Sequence, residues 1–142
     1  MSDNDKIEQL EKKLLWLPQI ELPLTHLFAP GVYYREIFMP EGSFIIGHEH
    51  LTEHFNIVLS GVATVYLGGG KVDLISGPTT FISKPGVRKM LYIHMDMRWV
   101  TIHPTNVTDV SQLESMLIVK SEEFCKHELE LAEFKKILGG TH

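Results

Sequence analysis

Three of the eight histidines of this 142-residue chain fall within seven residues, at His48, His50 and His54. Neutral imidazole is a common ligand of borderline divalent metals such as Zn²⁺, Ni²⁺ and Fe²⁺. Three protein ligands leave coordination positions open for water or a substrate. The spacing therefore predicts a divalent metal site with an open position. In the alternative interpretation, the three histidines are polar residues at the rim of a sheet, each hydrogen-bonded to water.

The residues around these histidines have the apolar pattern of two short strands, residues 43–50 and 55–59, separated by a turn. Side chains two residues apart leave the same face of a strand, so His48 and His50 are predicted to point the same way. The turn brings the chain back and places His54 on the neighbouring strand. The three rings are therefore expected on one wall.

The strand pattern extends from Val32 to His103 and is interrupted by turn residues at close spacing. A run of three glycines, residues 68–70, marks the tip of a hairpin. This pattern predicts a mainly β fold, either an antiparallel sandwich or a barrel. The predicted strands are residues 32–39, 43–50, 55–59, 62–67, 71–75, 79–83, 88–94 and 98–103.

Helical periodicity is confined to the two ends of the chain. Residues 3–17 carry one apolar stripe, and residues 18–31 are expected to lie along the barrel as an extended arm. Thr108-Asp109 is a capping signal for a helix that follows it, and a second helix is predicted over residues 121–138. The length favours a single domain, 1–142. Its predicted parts are the helix and arm (1–30), the barrel (31–104) and the C-terminal helices (105–142).

The histidine spacing also resembles the first sequence motif of the cupin superfamily, G-x5-H-x-H-x3/4-E-x6-G. Five residues fit this frame with no gap: Gly42, His48, His50, His54 and Gly61. The resemblance implies a cupin-type double-stranded β-helix, a jelly-roll barrel. His54 stands where the family usually has glutamate, and Glu53 is one residue out of the frame. The predicted metal ligands are therefore His48, His50 and His54.

The second motif of the family, G-x5-P-x-G-x2-H, is matched only in part. Gly86 takes the place of its last glycine, and Lys84 stands at the position of its proline. Lys89 then occupies the position of the usual fourth metal ligand. Lys89 is therefore either a charge in the cavity that meets an anionic ligand, or a solvated lysine on a strand.

Two further residues are candidates for the cavity or for a position behind the ligands. His103 lies on the last predicted strand, which in cupins runs beside the strand that carries the histidines. The resemblance makes His103 a fourth nitrogen or a partner of a ligand, and the alternative is a strand-end histidine bonded to a backbone carbonyl. Glu53 lies next to the motif and is a candidate general base.

A narrower resemblance links the chain to small cupin-like proteins of tailed bacteriophages and prophages. It is carried by the runs YYREIFMPEG, LTEHFNIVLSG, SKPGVRK and TIHPT. It implies a location in the cytoplasm of an infected or lysogenic bacterium, or association with the virion, but no reaction. The predicted function is a phage-type cupin that binds a divalent metal through its histidines. The alternative is a metal-free structural module, or a module that binds a small molecule or sugar without catalysis.

Composition narrows the range of partners. The net charge of −5 and the lack of a basic cluster argue against nucleic acid. The chain has no run of 18 apolar residues and its N-terminus is polar, which argues against a membrane span and a signal peptide. The apolar side chains of the arm and terminal helices exceed what a small barrel can cover, so a homodimer is expected. A small-molecule ligand is the other predicted partner.

Overall fold

The computed structural model describes residues 3–14, 22–68, 71–86 and 88–119. The chain divides into two compact units, one of residues 1–19 and 120–142 and the other of residues 20–119. In the first unit, the described element is helix α1 (Asp3–Leu14), which confirms the predicted helix as far as Leu14. Residues 15–17 and the predicted helix 121–138 lie outside the described residues, and the single domain stays a prediction. No helix in the described ranges is long and apolar enough to cross a membrane.

The described residues of the second unit form a mainly β structure with one helix. Its elements are β1 (Leu24–Ala29), β2 (Val32–Met39), β3 (Phe44–Ile46), β4 (Glu49–His50), β5 (His54–Gly68), β6 (Lys71–Ser76), β7 (Thr79–Ser83), β8 (Met90–Pro104), α2 (Val110–Leu117) and β9 (Ile118–Val119). The main sheet has the order β1-β2-β8-β5-β6, with β3 also paired to β8 and β7 to β5. All the pairings are antiparallel, as predicted.

Two of the predicted turns are wrong, because the chain continues through them as strand. β5 runs through Ser60 and Gly61, and β8 runs through residues 95–97. Ser60 pairs with Arg98 and Val62 with Met95, so two residues of β8 oppose Gly61 alone. Gly61 has a φ of +102°, and a Cβ atom there would lie 2.5 Å from the carbonyl oxygen of Asp96. A bulge with glycine at the tight point bends the strand without ending it.

The predicted strand 43–50 is also wrong in part, because it breaks at Gly47 and His48. β3 pairs with β8, whereas β4 pairs with β9, so the chain changes its partner between them. Bonds outside the ladder occupy the backbone of Gly47: its N–H donates to the Lys89 carbonyl over 2.9 Å, and Arg88 Nε donates to its carbonyl over 2.9 Å. His48 therefore lies in a connection, and the alternation expected between His48 and His50 does not apply.

Residues 24–29 of the predicted arm form β1, which pairs along its whole length with β2. The arm is thus extended, as predicted, and is part of the sheet; residues 18–21 lie outside the described ranges. The inner faces of the strands enclose the main hydrophobic core. Its buried members are Met39, Val58, Ala63, Val65, Leu91, Ile93, Met97 and Trp99.

The capping signal at Asp109 is confirmed. Its carboxylate accepts hydrogen bonds from the backbone N–H groups of Ser111, at 2.9 Å, and Gln112, at 3.2 Å. This satisfies two of the amides that a helix N-terminus leaves without a partner. Leu113 and Leu117 of α2 pack with Tyr33 in a second, smaller core. The helix thereby positions β9 beside β4.

Candidate functional site

A cavity of about 110 Å³ opens between the strands of the second unit. One part of its wall is polar and consists of Arg35, His48, His50, His54, Asn56, Ser83, Lys89 and Thr101. The rest is mostly apolar and includes Ile37, Met39, Ile45, Leu91 and Trp99. The cavity therefore combines donor groups and imidazoles with a hydrophobic wall, the composition expected of a small-molecule site.

Three imidazole rings cluster at the polar end of this cavity, where His50 and His54 line the wall and His103 packs against them. The ring centres of His50 and His54 are 4.3 Å apart, those of His54 and His103 4.8 Å, and those of His50 and His103 6.1 Å. Each histidine comes from a different strand, β4, β5 or β8. The β5 and β8 strands pair, which brings His54 and His103 together, as the cupin resemblance implied for His103. His48 lines the same cavity from the connection before β4.

Hydrogen bonding defines which nitrogens of the cluster face inward. The Nδ1 atom of His54 lies 3.1 Å from the carbonyl oxygen of Thr52. A carbonyl only accepts, so this Nδ1 carries the proton and the neutral ring keeps a lone pair on Nε2. The Nε2 atom of His103 lies 3.1 Å from the hydroxyl of Thr101. The Nδ1 atoms of His50 and His103 are buried and have no hydrogen-bond partner among the described residues.

The cluster is neutral near pH 7. Burial, with the charge of neighbouring histidines as a lesser cause, lowers the pKa of His50 to about 3 and that of His103 to about 4. Burial also lowers the pKa of His54. A neutral imidazole has a free lone pair, which is the form that binds a metal ion.

These residues fit a divalent metal by donor type, by protonation state and by their unpartnered buried nitrogens. Their placement fits less completely. No three His, Cys, Asp or Glu side chains in the described part of the chain already converge as a set that could hold one ion. Ring centres only 4.3 to 6.1 Å apart nevertheless leave the nitrogens within reach of a common point if the rings turn about their side-chain bonds.

Glu53 is not part of the cavity. Its side chain is 52% exposed and its carboxylate lies 3.8 Å from the amine of Lys84, which is itself 76% exposed. This corrects the prediction that Glu53 lines the pocket or acts there as a base. His54 begins β5, and the residue before it points away from the barrel interior.

Lys89 lines the cavity, so its side chain is not a solvated lysine on the outside of a strand, and its meeting an anionic ligand stays a prediction. Its amine donates a hydrogen bond to the Ser83 hydroxyl and lies 5.3 Å from the centre of the Phe81 ring and 5.7 Å from that of Trp99. Aromatic faces attract a cation at such distances. Burial lowers the pKa of Lys89 to about 8, so the amine remains mostly charged at pH 7.

Behind Lys89 lies a buried chain of hydrogen bonds. The Trp99 indole Nε1 donates to Asn56 Oδ1 over 2.9 Å, and Asn56 Nδ2 donates to the Ser83 hydroxyl over 2.8 Å. Asn56 pairs with Thr101 of β8, and His54 with Ser83 of β7. These hydrogen bonds therefore link Lys89 to the strands β5 and β8, which carry His54 and His103.

Arg35 is a cavity residue that the sequence interpretation missed. It lies on β2, opposite Thr101 of β8. The alternation of β2 contains the signal, since Arg35 shares a strand face with Ile37 and Met39, which also line the cavity. Nothing in the sequence alone indicated that the face carrying the charged Arg35 is turned toward the interior.

Comparison with solved structures identifies the fold. The DMSP lyase DddQ from Ruegeria pomeroyi matches with a TM-score of 0.53 and 12% identity over 62% of this chain, which spans about half (49%) of that chain. A cupin superfamily protein from Desulfitobacterium hafniense matches with a TM-score of 0.51 and 9% identity, covering 67% of this chain and 87% of its own.

An RmlC-like cupin with a double-stranded β-helix from Methanocaldococcus jannaschii has a TM-score of 0.50 and 11% identity, with 62% of this chain and 84% of that one covered. No family model matches the chain. No curated protein sequence matches it either. The structural similarities, together with the antiparallel topology, show that the chain has the cupin-type jelly-roll fold, with helices toward the ends of the chain.

Proposed function

We propose that the barrel binds a divalent metal ion, with Zn²⁺, Ni²⁺ or Fe²⁺ preferred, at the polar end of its cavity. The observation that carries the proposal is the pair of buried Nδ1 atoms of His50 and His103, which lack a hydrogen-bond partner in the described part of the chain. A buried polar nitrogen without a partner destabilises the fold by about 1–3 kcal/mol. A cation shared by the cluster removes that cost.

The sequence predicted His48, His50 and His54 as ligands; in this proposal His103, whose ring centre lies 4.8 Å from that of His54, joins His50 and His54, and His48 approaches the ion from the same wall. The Thr52 carbonyl fixes the tautomer of His54, which leaves its Nε2 lone pair for the ion. Thr101 fixes the orientation of the His103 ring through Nε2. Three or four nitrogen donors without a carboxylate favour Zn²⁺, Ni²⁺ or Fe²⁺ over Mg²⁺ and Mn²⁺. A metal bound there supplies a Lewis acid or a centre for oxygen chemistry.

The second candidate is a metal-free module that binds a small molecule or sugar, or that serves as a structural component of a phage particle. The cavity of about 110 Å³ favours the binding module over the purely structural role, because a structural sandwich needs no open interior. The resemblance to phage and prophage proteins stays a prediction, which detection of the chain in purified particles would test.

Elemental analysis of tag-free protein tests the metal proposal. We expect close to one zinc, nickel or iron per chain in protein purified without chelators, or after addition of zinc to chelator-treated protein and removal of the excess. The matched control is His94→Ala, because His94 is exposed and its Nε2 lies 2.7 Å from the Thr64 hydroxyl, away from the cavity. Protein that binds no metal under either condition would favour the metal-free module.

We also propose that the chain is a homodimer. The support is apolar exposure along β1, where Leu24 is 42% and Leu27 55% exposed at the edge of the sheet. Exposed apolar side chains on an edge strand favour association. Light scattering at micromolar concentration should give twice the chain mass of 16.2 kDa. A mass near 16.2 kDa would contradict the dimer.

A further inference from the structure

The polar part of the cavity wall contains hydrogen-bond donors besides the histidines. The indole N–H of Trp99 can only donate, so the atom of Asn56 that it contacts must be the amide oxygen. The amide nitrogen of Asn56 therefore faces the Ser83 hydroxyl and donates to it. The orientation of this buried amide follows from chemistry and not from the placement of its atoms alone.

Ser83 is consequently an acceptor twice over. Its oxygen accepts from Asn56 and also from the Lys89 ammonium, which has donors only. A hydroxyl oxygen has two lone pairs, so both are in use and the hydrogen of Ser83 remains to donate. Because Ser83 lines the cavity, that hydrogen can be donated to a group bound in the cavity.

The charges of the lining agree with this donor excess. Lys89 and Arg35 both line the cavity, whereas no aspartate or glutamate does among the residues that the structure describes. Lys89 has three N–H donors and gives one of them to Ser83, and the Arg35 guanidinium has five. Such a wall binds a group that only accepts and that carries negative charge.

The remaining residues of the cavity wall limit which molecule can carry that anionic group. Ile37, Met39, Ile45 and Leu91 offer carbon surface, and the cavity volume of about 110 Å³ admits only a small molecule. Inorganic anions have no apolar part to place against this wall. A short carbon chain that ends in a carboxylate uses both parts.

We propose that the cavity binds a small organic carboxylate, with its carboxylate at Lys89, Ser83 and Arg35 and its carbon chain against the apolar wall. This inference goes beyond metal binding and does not depend on it, because none of the three donor residues belongs to the proposed metal ligands. It names the chemical class of the ligand that either candidate function takes.

Butyrate and butyramide, which have the same shape but differ in charge, test the proposal on chelator-treated, metal-free protein. The probe is the NMR signal of the Trp99 indole N–H, which lies in the cavity wall. We expect butyrate to shift this signal with a Kd on the order of 1 mM, an affinity reasonable for six heavy atoms. Butyramide should bind at least tenfold more weakly. Phosphate, at equal ionic strength, should also bind more weakly than butyrate.

Two variants locate the binding. Lys89→Met keeps an unbranched apolar side chain without the charge and should weaken butyrate binding at least tenfold, and Arg35→Gln should weaken it several-fold. The matched control is Lys84→Met, a lysine on the surface, which should change the Kd less than twofold. Equal binding of butyrate and butyramide would overturn the proposal even if a variant fails to fold. Tighter binding of phosphate, or an unchanged Kd in folded Lys89→Met, would overturn it as well.

Repeating the titration with zinc present separates the two proposals. Butyrate binding to metal-free protein, with no zinc taken up, supports the carboxylate site and refutes the metal site. Zinc uptake with no butyrate binding in either form has the opposite meaning.

Discussion

The second unit contains two kinds of histidine, and they differ in their partners. Away from the cavity lies an outer pair: half-buried His26, whose Nδ1 is 2.6 Å from the Tyr33 hydroxyl, and exposed His94, whose Nε2 is 2.7 Å from the Thr64 hydroxyl. In the inner cluster, Nδ1 of the cavity residue His50 and Nδ1 of its neighbour His103 are buried without a hydrogen bond to any described residue. Each ring of the outer pair has a hydrogen-bonded nitrogen, whereas His50 and His103 each keep a buried Nδ1 without such a bond to a described residue.

This difference shows why the number of histidines is a poor guide to a ligand site. The number of buried histidine nitrogens without a hydrogen bond is a better guide. A satisfied histidine contributes to the fold and needs no further explanation. A buried, unsatisfied one destabilises the fold, and a cluster of them persists where a ligand compensates.

Removing two inner rings should have the largest effect. His50→Ala combined with His103→Ala is expected to weaken zinc binding at least about a thousandfold, equivalent to roughly 4 kcal/mol, because two of the proposed ligands are lost. The matched outer pair, His26→Ala with His94→Ala, should leave the affinity within about twofold. A competition titration with a zinc-binding dye measures both. Equal affinities in the two double variants would show that the inner cluster does not bind the metal.

Acid should destabilise the metal-free protein through the same rings. The pKa of His50 in the folded state is about 3 and that of His103 about 4, below their ordinary value of 6.5, so the unfolded chain takes up protons first. Stability is therefore complete above pH 6.5 and is lost as the pH falls toward 4. We expect a loss of up to about 3 kcal/mol at pH 5.5 from the two rings.

Urea unfolding of metal-free protein at several pH values measures this loss. His103→Gln, which cannot titrate, should reduce the dependence on pH by up to half, whereas His94→Gln should retain it. Stability that is constant from pH 7.5 to 5.5 would contradict the burial of neutral imidazoles.

Hydrogen bonds inside and outside the barrel should also differ in value. Asn56→Ala removes the group that bridges Trp99 and Ser83 and leaves a buried indole N–H without its acceptor, which should cost about 2 kcal/mol. Thr64→Val removes the exposed bond to His94 and should cost less than about 0.5 kcal/mol. Chemical denaturation compares the two. Equal costs would indicate that the inner chain of bonds is not isolated from water.

The smallest expected effect concerns the choice of metal. His54→Glu replaces a nitrogen ligand by a charged oxygen and should shift the preference from zinc toward manganese by about tenfold. The control is Glu53→Ala, because Glu53 is exposed beside Lys84 and should not affect the metal. Competition titrations with Zn²⁺ and Mn²⁺ decide between them. A loss of binding in Glu53→Ala, with His54→Glu unchanged, would reverse the assignment.

Much of the barrel could be predicted from local pattern. The strand 32–39 and the cap at Asp109 were predicted correctly, because alternation and capping chemistry act over a few residues. The false breaks at Gly61 and at residues 95–97 have one cause. A glycine next to polar residues indicates a turn, but in β5 and β8 the same residues form a bulge that depends on the facing strand.

The site could be predicted only where its residues are close together in the sequence or belong to a known motif. The motif indicated His50 and His54 and the neighbouring strand indicated His103, but the break before β4 was not visible, since it depends on pairing with β9. Arg35 was missed because local alternation shows which residues share a face and not which face is inward. The bond between Asn56 and Ser83 joins two strands whose register no local pattern specifies.

The pairing of β4 with β9 also sets an order of events during synthesis. His50 pairs with Ile118, and the N–H of Leu51 donates to the carbonyl of Leu117 over 2.7 Å. The chain emerges from the ribosome with its N-terminus first, so every strand of the main sheet emerges before Leu117 and Ile118 do. The backbone of His50 is thus the last part of the cluster to be held by a neighbouring strand. At the proposed metal site, uptake of an ion would therefore follow the closing of the barrel.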